Sequence, residues 1–470
     1  MAAPTAIAHW ARRLFLPIGI AGALLLAGAA VVWNGEYWNP AAPRPAEALS
    51  ARGPAVLVVP FDNDGMDSEF DGLIRGFTRE VIVGLNQFDG LFVYGLATSF
   101  KLGADGGANT AVSELKPDFI LSGGVTIADS RFLVTVSLIE ASTGRNVWAD
   151  KFRSEISHSD IIDDREQIAD RVAQAVGQPY GIIFREESRK IDGTSPQLFT
   201  SYQCMLQFYQ YWQNLNASLH SQVRQCLEKA VAEDPAYSEP FAALAMVYAN
   251  SQRYGFEREA LDFDPLPKAL QLALHSVDLA PESVLGYKAL HLVYWLSNEV
   301  DESFEAARRG LAVSPNDSEM MADLGGRLCL YGDWVNGFPL VQEAFARNPA
   351  QPGVYRIVTF LHFYLNGQYR EALAEAEKAN IPSVIHLHML QAMAHAQLGQ
   401  AAEADAAVRE MLKIDPRYGE HVIADLKGRN VHPDIIRAVV DGLVKAGLNV
   451  TEPDGKQAFL APEAKGYPPP

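Results

Sequence analysis

Hydrophobic positions along this chain fall into three regimes. Leu14 to Trp33 is an apolar run of twenty residues without a charge. Between Ala55 and Val176, short valine-rich runs take turns with stretches of helical spacing. From Ser195 onward the apolar positions keep a helical period, and that pattern itself repeats. Pro281, Pro315, Pro349, Pro382 and Pro416 follow one another at steps of 34, 34, 33 and 34. A unit of this length is a helix–turn–helix that cannot bury its apolar face alone, so neighbours must stack.

In the middle regime, residues 55–61 (Ala-Val-Leu-Val-Val-Pro-Phe) read as a strand buried on both faces. Phe70, Leu73, Ile74, Phe77, Val81 and Leu85 then mark one face of a helix. Strand signals return at 91–94, 119–122, 132–139 and 146–152, the last two flanking the hairpin signal Thr143-Gly144. Residues 161–176 form an amphipathic helix. Together these predict a small α/β domain over 54–180.

A helical array is predicted over 195–448, and its register can be read from small residues. The turn between paired helices falls on Asn298, Gly332, Gly367 and Gly399. One close-packing position falls on Ala269, Ser303, Gly337, Ala372 and Ala404. The other falls on Ala230, Ser276, Gly310, Ala344 and Ala379, with Met411 breaking the rule. Residues 251–267 read as an inserted loop and 449–470 as a disordered tail.

Twenty apolar residues are long enough to cross a bilayer core of about 30 Å. Arg12 and Arg13 precede them, which predicts a signal anchor at 14–33 with residues 1–13 cytoplasmic. Ala27-Gly28-Ala29 offers the competing pattern of a cleaved signal peptide, but the run exceeds the roughly 7–15 residues usual there. Residues 34–53 read as a linker. The expected fold class is therefore a single N-terminal transmembrane helix, a small α/β domain and an all-α superhelix. The expected location is a bacterial inner membrane, with the main domains periplasmic.

A net charge of −18 argues against a surface for nucleic-acid phosphates. The chain has no GxxxxGK[ST], HExxH or CxxC, so no cofactor or metal is expected. His386, His388 and His395 are read as packing residues. Asp62, Asn63 and Asp64 are read as a turn and helix cap. No catalytic set emerges, and the chain is expected not to be an enzyme. Cys204 and Cys226 are symmetric about the turn Asn214-Leu215-Asn216, which predicts a disulfide between paired helices. The inner positions of the repeat carry Met246, Lys288, Leu292, Trp295, Ile357, Leu361, Tyr364, Met389 and Met393. Of these, Lys288, Trp295 and Tyr364 are taken as a partner-binding groove.

Two stretches carry family resemblances. Residues 58–63 (Val-Val-Pro-Phe-Asp-Asn), 70–73 (Phe-Asp-Gly-Leu), 120–125 (Ile-Leu-Ser-Gly-Gly-Val) and 138–144 with 147–149 resemble the TolB-like amino-terminal domain of bacterial signalling proteins. The 34-residue period, with 234–237 (Asp-Pro-Ala-Tyr), 331–334 (Tyr-Gly-Asp-Trp), 396–399 (Ala-Gln-Leu-Gly) and 441–447, resembles the tetratricopeptide (TPR) array usually joined to it. The resemblance spans 55–448. In that family the pair sits behind a class III adenylate cyclase or a winged-helix DNA-binding domain. Only thirteen residues precede the apolar run, so neither output domain is expected here. The resemblance implies a sensory or protein-binding module with an unidentified protein or peptide partner. Its alternative is a regulatory subunit for a separately encoded cyclase or transcription factor.

Overall fold

A computed structural model describes residues 53–65, 67–88, 90–104, 115–128, 131–155, 161–178, 181–191, 199–349 and 351–451. These residues belong to one compact unit. Its sheet has six strands: β1 (Ala55–Val58), β2 (Asp62–Asn63), β3 (Phe92–Val93), β4 (Phe119–Ala128), β5 (Arg131–Glu140) and β6 (Arg145–Glu155). Their order is β3-β1-β4-β5-β6, with β2 beside β4. β1 runs parallel to β3 and β4, whereas β5 runs antiparallel to both β4 and β6.

All four residues of β1 are buried, as its unbroken apolar run requires. β5 alternates instead: Phe132, Val134, Val136 and Leu138 are buried and the residues between them are not. The buried set packs with Phe77 and Val81 of α1 (Asp71–Leu85) and with Ile168 and Val172 of α3 (Ile161–Gly177). Between them, α2 (Leu96–Ala104) follows β3. Gly123 and Gly124 on β4 have a packing reason. A side chain on the first would strike the Phe61 ring and the Thr135 carbonyl, and one on the second would strike the Asp64 carboxylate.

After α4 (Ile182–Ile191) come seven helix pairs among the described residues. These are α5 (Ser201–Asn214) with α6 (Ala217–Glu233), α7 (Ser238–Tyr254) with α8 (Pro265–Leu279), α9 (Val284–Leu296) with α10 (Val300–Val313), and α11 (Ser318–Tyr331) with α12 (Trp334–Arg347). Then follow α13 (Arg356–Leu365) with α14 (Tyr369–Ala379), α15 (Ile385–Gln397) with α16 (Ala401–Ile414), and α17 (Tyr418–Gly428) with α18 (Pro433–Lys445). Asn298, Gly332, Gly367 and Gly399 all turn with positive φ, at 63°, 108°, 74° and 75°. Asparagine and glycine tolerate that region where other residues are strained. In the inserted segment, a 3-10 turn at Arg258–Ala260 leads to Asp264, which caps α8 ahead of Pro265.

The sulfurs of Cys204 on α5 and Cys226 on α6 are joined, with Cα atoms 5.5 Å apart. Leu215 makes the turn between those helices at φ 48°, and Cys329 is free and buried.

The membrane expectation needs correction. The apolar run 14–33 lies outside the described residues, as do 1–13, most of the linker 34–53 and nearly all of the tail 449–470. Among the described residues no helix is long and apolar enough to cross a membrane. α3, α6 and α7 each have 17 residues, short of the ~20 a spanning helix needs. The fold is thus mostly helical with one small sheet. The inner-membrane, periplasm-facing location rested on the spanning helix and falls with it.

Two measurements probe this packing. A methyl group at Gly337 would lie 2.5 Å from the Gly325 carbonyl oxygen and 2.8 Å from Cys329 Sγ, forcing α11 and α12 apart. Gly337→Ala should therefore lower stability by about 1–3 kcal/mol in chemical denaturation. Gly310→Ala meets the flexible end of Met320 at 2.8 Å and Tyr287 Cβ at 3.2 Å, with no backbone atom in the way, and should cost less. Equal, negligible losses would contradict the packing described. Separately, the 22-residue Cys204–Cys226 loop should contribute about 3 kcal/mol by restricting the unfolded chain. Reductant should then lower the urea midpoint of the parent protein and leave that of Cys204→Ser/Cys226→Ser unmoved.

Candidate functional site

The first helix of each pair faces inward, and the array folds back on itself across these inner faces. Trp212 Nε1 on α5 donates to Glu319 Oε1 on α11 at 2.8 Å, a contact 107 residues apart in sequence. Lys288 Nζ on α9 donates to Glu319 Oε2 at 3.2 Å and to Asp317 Oδ1 at 3.1 Å. Tyr355 OH, beside α13, donates to Glu319 Oε1 at 3.3 Å. Glu319 is 7% exposed and Lys288 4%, so each charge depends on its partners. Burial raises the Glu319 carboxyl above its ordinary value, and Lys288 offsets this only in part. Burial works against the Lys288 ammonium, but Asp317 and Glu319 outweigh it and keep it firmly charged.

On one side of this node, at the C-terminal ends of α7 and α9, lies a pocket with about 600 Å³ of open space. Its walls include Trp212, Trp295 and Tyr355, with Arg253, Arg327, Arg429 and Asp323. Arg327 donates from Nη2 to both Asp323 oxygens at 2.9 and 3.1 Å, and from Nε to His291 Nε2 at 2.8 Å. His291 is therefore neutral, and its Nδ1 faces the Ser303 carbonyl at 2.8 Å. Burial, with Arg327 beside it, depresses its pKa from 6.5 to about 4. Arg429 Nε donates to Asp425 Oδ1 at 2.7 Å, and Asp425 Oδ2 is also held by His386 and Tyr418 at 2.8 and 3.0 Å. Arg429 Nη2 reaches the Arg253 carbonyl, closing a gap of 176 residues. Asn430 likewise donates to the Trp295 carbonyl at 2.9 Å.

On the other side two clefts, of about 480 and 700 Å³, lie between the array and the helices that cover the sheet. Gln87, Phe88, Gln178, Lys288 and Asp317 line both. Asn316 bridges this boundary, donating to Asp170 Oδ2 at 3.1 Å while accepting from Arg347 at 2.9 Å.

The three residues expected to form an open groove are all interior: Lys288, Trp295 and Tyr364 are 4%, 3% and 5% exposed. Neighbouring helices cover them: Asp317 and Glu319 lie against Lys288, Phe304 and Tyr331 against Trp295, and Gln397 and Gly442 against Tyr364. Trp295 still edges the central pocket and Lys288 the two clefts, whereas Tyr364 lines none of the three. The histidines at 386, 388 and 395 are not brought together. They contact Asp425, the Pro382 carbonyl and Gln400 respectively. No group of metal-holding side chains occurs among the described residues. Asn63 donates to the Asp67 carbonyl and to Asp71 Oδ1, both at 2.7 Å, tying β2 to the start of α1.

A nucleophile-like chain is present but sealed. Ser251 Oγ lies 2.9 Å from His220 Nε2, and His220 Nδ1 lies 3.0 Å from Tyr211 OH, which accepts from Asn250 at 3.0 Å. None of the four exceeds 1% exposure, and burial lowers the His220 pKa to about 4. This chain knits α5, α6 and α7 together. Sequence reasoning missed Glu319, Arg253, Arg327 and Arg429. Each resembles an ordinary helix-end charge, and the partners that make them a site come largely from other helices, as far as 107 and 176 residues away.

No family model matches the chain. A Rhizobium meliloti (strain 1021) protein described as "Putative adenylate cyclase 3" is 27% identical over 270 residues, covering 56% of this chain and 44% of that protein. The chain thus spans less than half the length of that relative. Among solved structures, YrrB, described as "a TPR protein with an unusual peptide-binding site", aligns with a TM-score of 0.26 at 15% identity. That alignment covers 44% of this chain and 98% of the other. So loose a superposition carries no argument, and the helical-repeat character rests on the chain's own hairpins and turns.

His291 supplies a test of the pocket's wall. Its folded pKa of about 4 lies below the ordinary 6.5, so the folded state binds fewer protons than the unfolded between those values. Its contribution is complete above pH 6.5 and is lost as pH falls toward 4. His291→Asn should be less stable than the parent at pH 7.5, and the difference should shrink by pH 5. Urea midpoints at both values check this, and a constant difference would contradict it.

Proposed function

We propose that this chain is a binding and regulatory module rather than a catalyst, taking a protein or peptide partner on its helical array. The observation that carries this reading is the central pocket. Its polar walls are held by hydrogen bonds from residues distant in sequence, so little ordering remains to be done when a ligand arrives. Trp295, of the residues expected to touch a partner, borders that pocket. The one serine–histidine chain described above is sealed and has a knitting role instead. The part of the chain over 54–180, TolB-like by resemblance, caps the array beside Lys288.

A second reading is supported by the relative's printed name. This chain regulates a nucleotide cyclase encoded apart from it, as the matched stretch belongs to a protein described as "Putative adenylate cyclase 3". Both readings place activity in a partner.

Purified chain with ATP and magnesium or manganese should form no cyclic AMP above a contaminant-free blank. A photo-crosslinking amino acid at Ile357, half-buried at the pocket rim, should trap a discrete partner in cells, while one at exposed Val335 should not. Cyclic AMP formation that follows the pure protein would overturn the binding-only reading. So would identical adduct patterns at the two positions.

A further inference from the structure

Three guanidinium groups meet at the central pocket, and their partners do not balance. Arg327 is satisfied by Asp323 and His291, and Arg429 by Asp425 and a carbonyl. The guanidinium of Arg253 makes no hydrogen bond or ion pair to a carboxylate or carbonyl among the described residues; the Asp323 carboxylate near it is already held by Arg327. The Arg253 guanidinium's one described contact is with the Tyr254 ring, 4.9 Å from the ring centre. Arg429 lies over the same ring at 5.4 Å. Five N–H donors are thus left on a half-buried cation, beside two more cations and two carboxylates already in use. A site so arranged carries one positive charge in excess, inside a protein whose net charge is −18.

Burial, together with Arg429 and Arg327, lowers the Arg253 pKa, as expected for a cation short of negative charge. The remaining wall is aromatic, formed by Trp212, Trp295 and Tyr355.

We propose that the central pocket is an oxyanion-binding site, in which the free fork of Arg253, backed by Arg429 and Arg327, takes a carboxylate or phosphate group and the Trp212, Trp295 and Tyr355 wall takes an apolar body attached to it. This deepens the binding role proposed above and rests on its pocket. A planar guanidinium fork matches two oxygens of one anion, which a lysine would not do.

Full-length protein supplies the test, with phenyl phosphate, phenylacetate and uncharged benzyl alcohol as probes. Titration followed by tryptophan fluorescence and calorimetry should show saturable binding of at least one anion and none of benzyl alcohol. The tighter anion identifies the source as phosphate or carboxylate. Arg253→Gln should weaken that binding at least tenfold, Arg253→Lys less, and Arg308→Gln, on an exposed helix face, not at all. Melting curves establish that each variant is folded. Were Arg253→Gln to unfold, Arg253→Lys carries the test through its loss of the fork. Binding of neither anion, or equal affinity in the parent and the folded Arg253 variants, overturns the proposal. Anion binding without a crosslinked partner would instead count against the protein-binding reading alone.

Discussion

The Glu319 carboxylate is the point on which the helical array depends. It is buried where an unpaired charge would not be tolerated, and it accepts from Trp212, Lys288 and Tyr355, drawn from three other elements. Such a group is costly to leave unsatisfied, so the three donors must be delivered together. That requirement fixes how α5, α9 and the segment before α13 sit around α11. It also separates the central pocket from the clefts beside the sheet. Closing contacts from Arg429 and Asn430 then hold the far side.

Local physics was legible in the amino-acid sequence, and distant physics was not. Asn298, Gly332, Gly367 and Gly399 announce positive φ because few other residues accept it. The alternation in 132–139 shows which face of β5 is buried, and the symmetry of Cys204 and Cys226 about Leu215 places them at one level of a hairpin. Each of these follows from neighbours within about one repeat. By contrast, Lys288, Trp295 and Tyr364 have the same inner register in an open array or a closed one. Their burial is decided by how closely the next helices press on them, as Glu319 does on Lys288, Tyr331 on Trp295 and Gly442 on Tyr364, and close approach leaves no periodic mark. Arg253 was invisible for the related reason that a basic residue ending a helix is the most ordinary place to find one.

The sheet and the array are less independent than their compositions suggest. Lys288 belongs to the array's polar node and also lines both clefts against the helices that cover the sheet. Asp170 on α3, raised by burial above the usual aspartate value, meets Asn316 and, through it, Arg347. A change at the sheet-side clefts therefore has a short physical route to the Glu319 carboxylate. That route passes through one lysine side chain rather than through helix backbone.

Stacked-repeat proteins ordinarily tolerate gaining or losing a unit, because each repeat touches only its neighbours. The hydrogen bond from Arg429 to the Arg253 carbonyl removes that freedom here. Adding one helix pair between them would rotate every later helix and carry Arg429 away from α7, uncoupling the two arginines that share the Tyr254 ring. The number of repeats in this chain is consequently not a length that can drift. It is set by the same contact that shapes the pocket.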